Sequence, residues 1–175
     1  AWSCTDMYAR TAIEAIFKYL PASLDGDGEA RLHMAEAQYV AGMAFSNAGL
    51  GLCHAMSHPL GAVCHVQHGA ANAVLLPHVM RFNAGATGDK FKVICRAADI
   101  HGLSSMSAAE VRERAIESVA GLMRKLGLPG TLRELGVKLG DFRALAGEAM
   151  KDATITDNPR DPSPDDVEKV YKSAR

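Results

Sequence analysis

Five of the seven histidines fall between positions 54 and 78: His54, His58, His65, His68 and His78. Imidazole is the commonest neutral nitrogen ligand for zinc and iron, and it titrates near neutrality, so such a cluster suits either metal binding or proton transfer. His54 and His58 stand four residues apart, and a helix would project both rings from one face. The pair lacks the glutamate of a zincin motif, so spacing alone is a weak metal signal. Gly51, Ala55, Ser57, Gly61, Gly69, Ala70 and Ala71 surround the cluster and allow a ligand or a neighbouring helix to come close. A lone histidine on an apolar helix is more often an ordinary core or surface residue, and His33, His78 and His101 are read that way. Cys4, Cys53, Cys64 and Cys95 form no CxxC pair. They read as reduced, mostly buried thiols of a cytosolic protein, with a thiolate ligand at Cys53 or Cys64 as the minor reading.

The elements that must carry these residues read as helices. Ala9, Ala12, Ile13, Ile16, Phe17 and Leu20 recur at three- and four-residue steps, with Pro21 expected to stop that helix. Asp25-Gly26-Asp27-Gly28 is a turn, and a second helix is expected over about 29–45. A short segment between Gly49 and Gly51 leads into His54 and His58 and is expected to end at Pro59 and Gly61. The run from Ala70 to Leu76 is apolar nearly all round, as in a buried helix. Ser107 with Glu110 is a capping-box pair ahead of an amphipathic helix to Gly127, and Thr131 with Glu134 repeats the signal before a short helix. A helix is predicted over 141–153. Ser163-Pro164-Asp165-Asp166 combines an N-cap, a first-turn proline and first-turn acids, which opens a final helix. The absence of alternating β patterns predicts an all-α chain of about seven to nine helices in one domain, residues 1–175.

Composition narrows the partners. Nineteen Lys and Arg against twenty Asp and Glu leave a charge of −1, which argues against nucleic acid. No apolar stretch approaches the roughly 20 residues of a membrane helix. Hydrophobic residues at 48% and charged residues at 22% fit a soluble, cytoplasmic globular protein.

Three stretches closely resemble the signature of the iron-containing (group III) alcohol dehydrogenases. They are Gly49-Leu-Gly-Leu-Cys-His54-Ala-Met-Ser-His58-Pro-Leu-Gly-Ala, His68-Gly-Ala-Ala-Asn72 and Leu75-Leu-Pro-His-Val-Met-Arg-Phe-Asn83. The likeness runs from Ala1-Trp2 through Phe45-Ser46-Asn47 to Asn158-Pro159-Arg160. It implies the all-helical C-terminal domain of the iron-containing alcohol dehydrogenase / dehydroquinate-synthase-like fold. By the resemblance, His54 and His68 are metal ligands for Fe(II), or alternatively Zn(II). His58 lies between metal and nicotinamide, near the reacting alcohol, while Phe45 and Leu50 line the substrate pocket. For the last two, an ordinary core role is the competing reading. Spacing alone would instead pair His54 with His58.

In this family the first two metal ligands are an Asp and a His on a helix ahead of the segment that matches Ala1. Asp6 and Glu14 do not fit that pattern, so this ligand helix and the NAD(P)-binding N-terminal domain are expected to lie outside the chain. The implied activity of the parent enzyme is interconversion of a small primary alcohol or diol and its aldehyde, with hydride transfer to NAD(P). A homodimer or larger homo-oligomer is implied with it. The alternatives are a zinc-dependent glycerol or polyol dehydrogenase, and a helical module without activity of its own.

Overall fold

Helix α3 (Leu52–Cys64) divides its residues between two faces. Leu52, Met56 and Leu60 recur at every fourth position and are fully buried. His54 and His58 repeat the same spacing on the opposite side of the cylinder, so the core face fixes where the two rings project. The computed structural model describes residues 1–175 as eight α-helices and four 3-10 segments, with no β-strand. This all-α architecture falls within the expected number of helices. No helix is long and apolar enough to cross a membrane.

The chain forms two compact units. The first comprises Ala1–Gly49 and Asp89–Ser118. In it α1 (Ser3–Leu24) and α2 (Gly28–Ala48) pack along each other, and α5 (Phe91–Ala97) packs on α1. The buried positions of α1 and α2 are mainly alanines, Ala12, Ala30, Ala37 and Ala44, joined from the later segment by Phe91, Cys95, Val111, Ala115 and Ile116. Small side chains at a helix contact permit close packing of the two axes. The Asp27 carboxylate caps α2 by accepting from the Ala30 amide at 2.9 Å. Pro21 does not stop α1, which runs one turn further to Leu24. A proline in the last turn forfeits a single hydrogen bond, and the Asp25 amide still bonds the Pro21 carbonyl at 3.1 Å.

The second unit comprises Leu50–Gly88 and Val119–Arg175. Helix α3 packs on α4 (His68–Asn83) and α7 (Phe142–Ala149), and α8 (Pro164–Ser173) packs on α4 and α7. Helix α6 (Ala108–Lys125) contributes residues to both units. Leu52, Met56, Leu60, Leu75, Leu132, Phe142, Leu145, Val167 and Tyr171 form the core of this unit. The buried Tyr171 hydroxyl donates to the Met56 carbonyl at 2.6 Å, tying α8 to the middle of α3.

Several expectations are met here and others are corrected. The Ser107–Glu110 and Ser163–Asp166 boxes both form, with reciprocal side-chain-to-amide bonds. Pro59 lies inside α3 rather than ending it, and Pro77 lies inside α4. An interior proline costs roughly 3 kcal/mol, but Pro59 is buried among apolar neighbours that hold the helix together. Thr131 and Glu134 make their capping bonds, yet no helix follows. The Leu132 amide is taken by the Ala174 carbonyl at 2.8 Å, and Gly136 at φ +81° turns the chain away. The helix expected over 141–153 ends at Ala149, because Asp152 adopts an extended backbone and captures the Thr154 amide with its side chain at 2.9 Å. That capture starts the 3-10 segment Ala153–Asp157. The short helix α5 has no counterpart in the sequence reading.

The start of α3 is anchored from that same segment. The Gly51 amide donates to the Thr154 carbonyl at 3.0 Å, and the Leu52 amide to Asn158 Oδ1 at 3.2 Å. Gly51 sits at φ +81°, ψ −162°, a region essentially reserved for glycine. A Cβ there would lie 3.2 Å from Asn158 Oδ1 and 3.4 Å from its Cα. Gly51→Ala is therefore expected to destabilise the chain by about 2 kcal/mol, from backbone strain together with the close contact. The urea unfolding midpoint measures this, and a change smaller than about 0.5 kcal/mol would be inconsistent with the strain.

Candidate functional site

Helices α3 and α4 meet through a tight link that determines which histidines converge. Helix α3 ends with His65 in the left-handed conformation (φ 56°, ψ 28°), and the Val66 amide reaches back to the Leu60 carbonyl at 3.1 Å. Gln67 then caps α4 by accepting from the Ala70 amide at 2.8 Å, so His68 is the first residue of α4. The reversal brings the His68 ring beside the two rings of α3. The ring centroids are 5.4 Å apart for His54 and His68, 5.5 Å for His58 and His68, and 6.0 Å for His54 and His58. Pairing His54 with His58 or with His68 is thus no longer a choice, since all three rings face one another.

Each ring has a different environment. His54 is the least exposed, and burial lowers its pKa, as do His68 and His58, against a smaller opposing effect of Asp152. Asn72 stands four residues after His68 on α4 and its Nδ2 donates to His68 Nε2 at 2.9 Å. The Cys53 thiol in turn donates to Asn72 Oδ1 at 3.4 Å, which fixes the orientation of the amide. Burial pushes the Cys53 thiol up to about 12, so it remains a protonated donor. His58 Nδ1 lies 2.6 Å from Asp152 Oδ2, whose second oxygen accepts from the Thr154 amide at 2.9 Å and the Thr154 hydroxyl at 2.7 Å. Burial acts to raise the Asp152 pKa, but the hydrogen bonds from Thr154 and His58 outweigh it and hold the carboxylate below its ordinary value.

The remaining expected residues are placed as follows. Leu50 is half-buried at the head of the second unit, two positions before α3, whereas Phe45 lies on α2 in the first unit and is exposed. His33 stacks on Tyr19 at 4.1 Å, His78 Nδ1 and the Ser173 hydroxyl are hydrogen-bonded at 2.9 Å, and His101 pairs with Asp99 on the surface. Asp6 and Glu14 engage Lys90 and Arg10. All four cysteines are free thiols.

The family is settled by comparison with known proteins. The model of the Fe-containing alcohol dehydrogenase family, C-terminal, matches residues 1–175. The chain belongs to that family. Lactaldehyde reductase of Escherichia coli (strain K12) is 47% identical over 174 residues, which is 99% of this chain and 45% of the enzyme. The 1,3-propanediol dehydrogenase of Citrobacter freundii is 42% identical, over 97% of this chain and 44% of the enzyme. A crystal structure of 1,3-propanediol oxidoreductase superimposes with a TM-score of 0.94 at 38% identity, over 100% of this chain and 46% of that one. The chain thus spans a little under half the length of these alcohol dehydrogenase relatives.

As a member of an iron-containing family the chain should offer donors to a metal. His54 and His68 bring two imidazoles together, the donor type that iron and zinc sites use, and His68 Nε2, which accepts from Asn72 Nδ2, would exchange that bond to bind a metal. Stable sites use three or four protein ligands. His58 is bonded to Asp152 through Nδ1, which leaves Nε2 open, and no group of three or more His, Cys, Asp or Glu side chains is disposed to hold an ion. Two imidazoles are compatible with part of a metal's donor set and are fewer than the three or four of a stable site. Asp152, Thr154 and Asn72 have no role assigned from the sequence, and Cys53 serves as a thiol donor to Asn72 rather than as a thiolate ligand. Asn72 could have been found from its four-residue step to His68, whereas nothing in the sequence links Asp152 to His58.

Proposed function

We propose that the chain is the metal-binding part of an NAD(P)-dependent oxidoreductase that interconverts a small primary alcohol or diol and its aldehyde. The observation that carries this reading is the convergence of the His54 and His68 rings, their centroids 5.4 Å apart. It is supported by the names of the relatives, which are reductases and dehydrogenases of small aldehydes and diols.

In this proposal His54 and His68 hold Fe(II), or alternatively Zn(II), together with donors from outside the chain. The metal when bound supplies Lewis-acid polarisation of the alcohol oxygen. His58, with its Nε2 unengaged, handles the proton of the alcohol or positions the nicotinamide. Phe45 and Leu50 line the substrate pocket. NAD(P) is held mainly by a preceding dinucleotide-binding domain, and the 45% coverage of the relatives supports that division. A cytoplasmic homo-oligomer completes the reading. With no group of three or more ligating side chains disposed to hold an ion, the isolated chain is proposed to be a stable but inactive helical module.

The test measures metal content and NAD(P)-linked turnover of 1,2- and 1,3-propanediol, glycerol, ethanol and lactaldehyde by the intact enzyme. Stoichiometric iron or zinc with diol or aldehyde turnover is expected, and metal identity with the glycerol rate separates the zinc polyol alternative. Full activity of metal-free enzyme would overturn the proposal.

A further inference from the structure

His58 has one hydrogen-bond partner, Asp152, and that partner is itself fixed. Asp152 stops the helix before it, caps the 3-10 segment Ala153–Asp157 and commits Oδ1 to two Thr154 donors at 2.9 and 2.7 Å. Only Oδ2 is left, and it lies 2.6 Å from His58 Nδ1. The side chain of Asp152 is 19% exposed against 41% for His58, so the better-shielded group orients the freer one. A carboxylate carries no proton to donate, so the proton of this bond must reside on Nδ1.

We propose that Asp152 is a positioning residue that holds His58 as its Nδ1–H tautomer, leaving the Nε2 lone pair free on the open side of the three-histidine cluster. In water the imidazole of a histidine side chain is free to exchange its tautomers and rotate. Here both choices are removed, because the rigid carboxylate accepts in one direction only. A base or hydrogen-bond acceptor at Nε2 is then present without prior reorganisation. The consequence for turnover rests on the role given to His58 under the proposed function, whereas the tautomer assignment does not.

Asp152→Asn tests it without changing shape. The two Thr154 donors require an oxygen at the Oδ1 position, so the new amide nitrogen would occupy the Oδ2 position and donate to His58 Nδ1. The proton must then move to Nε2. Long-range proton–nitrogen spectra of the 15N-labelled full chain should show the unprotonated nitrogen of His58 at Nε2 in the parent and at Nδ1 in Asp152→Asn. Asp152→Ala, which removes the partner altogether, should lose the fixed Nδ1–H signature. Finding His58 protonated at Nε2 in the parent, or unchanged in both variants, would overturn the assignment. In the intact oxidoreductase kcat should fall by about 100-fold or more in Asp152→Asn, within the usual range for a misdirected general acid–base group, with KM and bound metal little changed. A tautomer swap with full turnover, accompanied by full turnover in His58→Ala, would uphold the positioning by Asp152 and remove the proposed role of His58.

Discussion

His54→Ala and His68→Ala are each expected to strip the intact oxidoreductase of its metal and to lower kcat/KM by at least about 1,000-fold. The size follows from two considerations. Loss of a residue that merely supports a ligand costs 10- to 100-fold in metal affinity, and a ligand itself should cost more. Polarisation of the alcohol oxygen by a metal provides several kcal/mol, and each 1.4 kcal/mol is about tenfold in rate. The fold should survive both changes, since the rings project away from the apolar face of α3 and the start of α4 is capped by Gln67 rather than by His68. His58→Ala makes the informative contrast. It should retain the metal and lose turnover, because the proposed function gives His58 a proton-handling or nicotinamide-positioning role beside the metal rather than a place among its donors. His101→Ala, at a surface pair with Asp99, should change neither property. Metal analysis beside steady-state kinetics reads all four, and full metal content in His54→Ala or His68→Ala would refute the ligand assignment.

Much of this architecture was legible because local chemistry was allowed to decide it. The Ser163-Pro164-Asp165-Asp166 start needs only the orphan amides of a helix terminus, and it forms as written. The Ser107–Glu110 start is equally local. The misreadings occur where tertiary contacts override a local signal. Pro59 is a helix breaker by its own chemistry, but the buried face around it offsets the missing bond. Thr131 and Glu134 make a good cap whose helix is cut off by the bond from Leu132 to the last turn of the chain. The site divides along the same line. His54, His58 and His68 lie within one short stretch and could be read from residue type and family resemblance. Their assembly depends on the left-handed turn at His65, which no residue there advertises. Asp152 reaches His58 across 94 positions, beyond any pattern that a single sequence carries. The grouping of residues into two compact units is likewise a property of long-range packing.

The same logic makes Asn158 the most consequential side chain that touches no histidine. Its Oδ1 accepts from the Leu52 amide at 3.2 Å and from Asn83 Nδ2 at 2.8 Å, while its Nδ2 donates to Asn83 Oδ1 at 2.8 Å and to the Arg160 carbonyl at 2.6 Å. One buried amide thus joins the start of α3, the end of α4 and the segment before α8. Asn158→Ala would leave the Leu52 amide and both ends of the Asn83 amide without partners in a region closed to water. Each stranded group costs roughly 1–3 kcal/mol, so a loss of about 4 kcal/mol is expected once partial relaxation is allowed for. Asn83→Ala should cost less, because Asn158 keeps its bonds to Leu52 and Arg160. The double variant should cost less than the sum, because with both amides gone neither strands the other. Urea unfolding measures the energies, and hydrogen exchange at Leu52 and the following amides shows where they act. Exchange there should accelerate in Asn158→Ala ahead of global unfolding, since the bond that starts α3 is gone and His54 lies two residues further on. A loss below about 1 kcal/mol, or protection unchanged at Leu52, would show that the first turn of α3 is held by its apolar face alone.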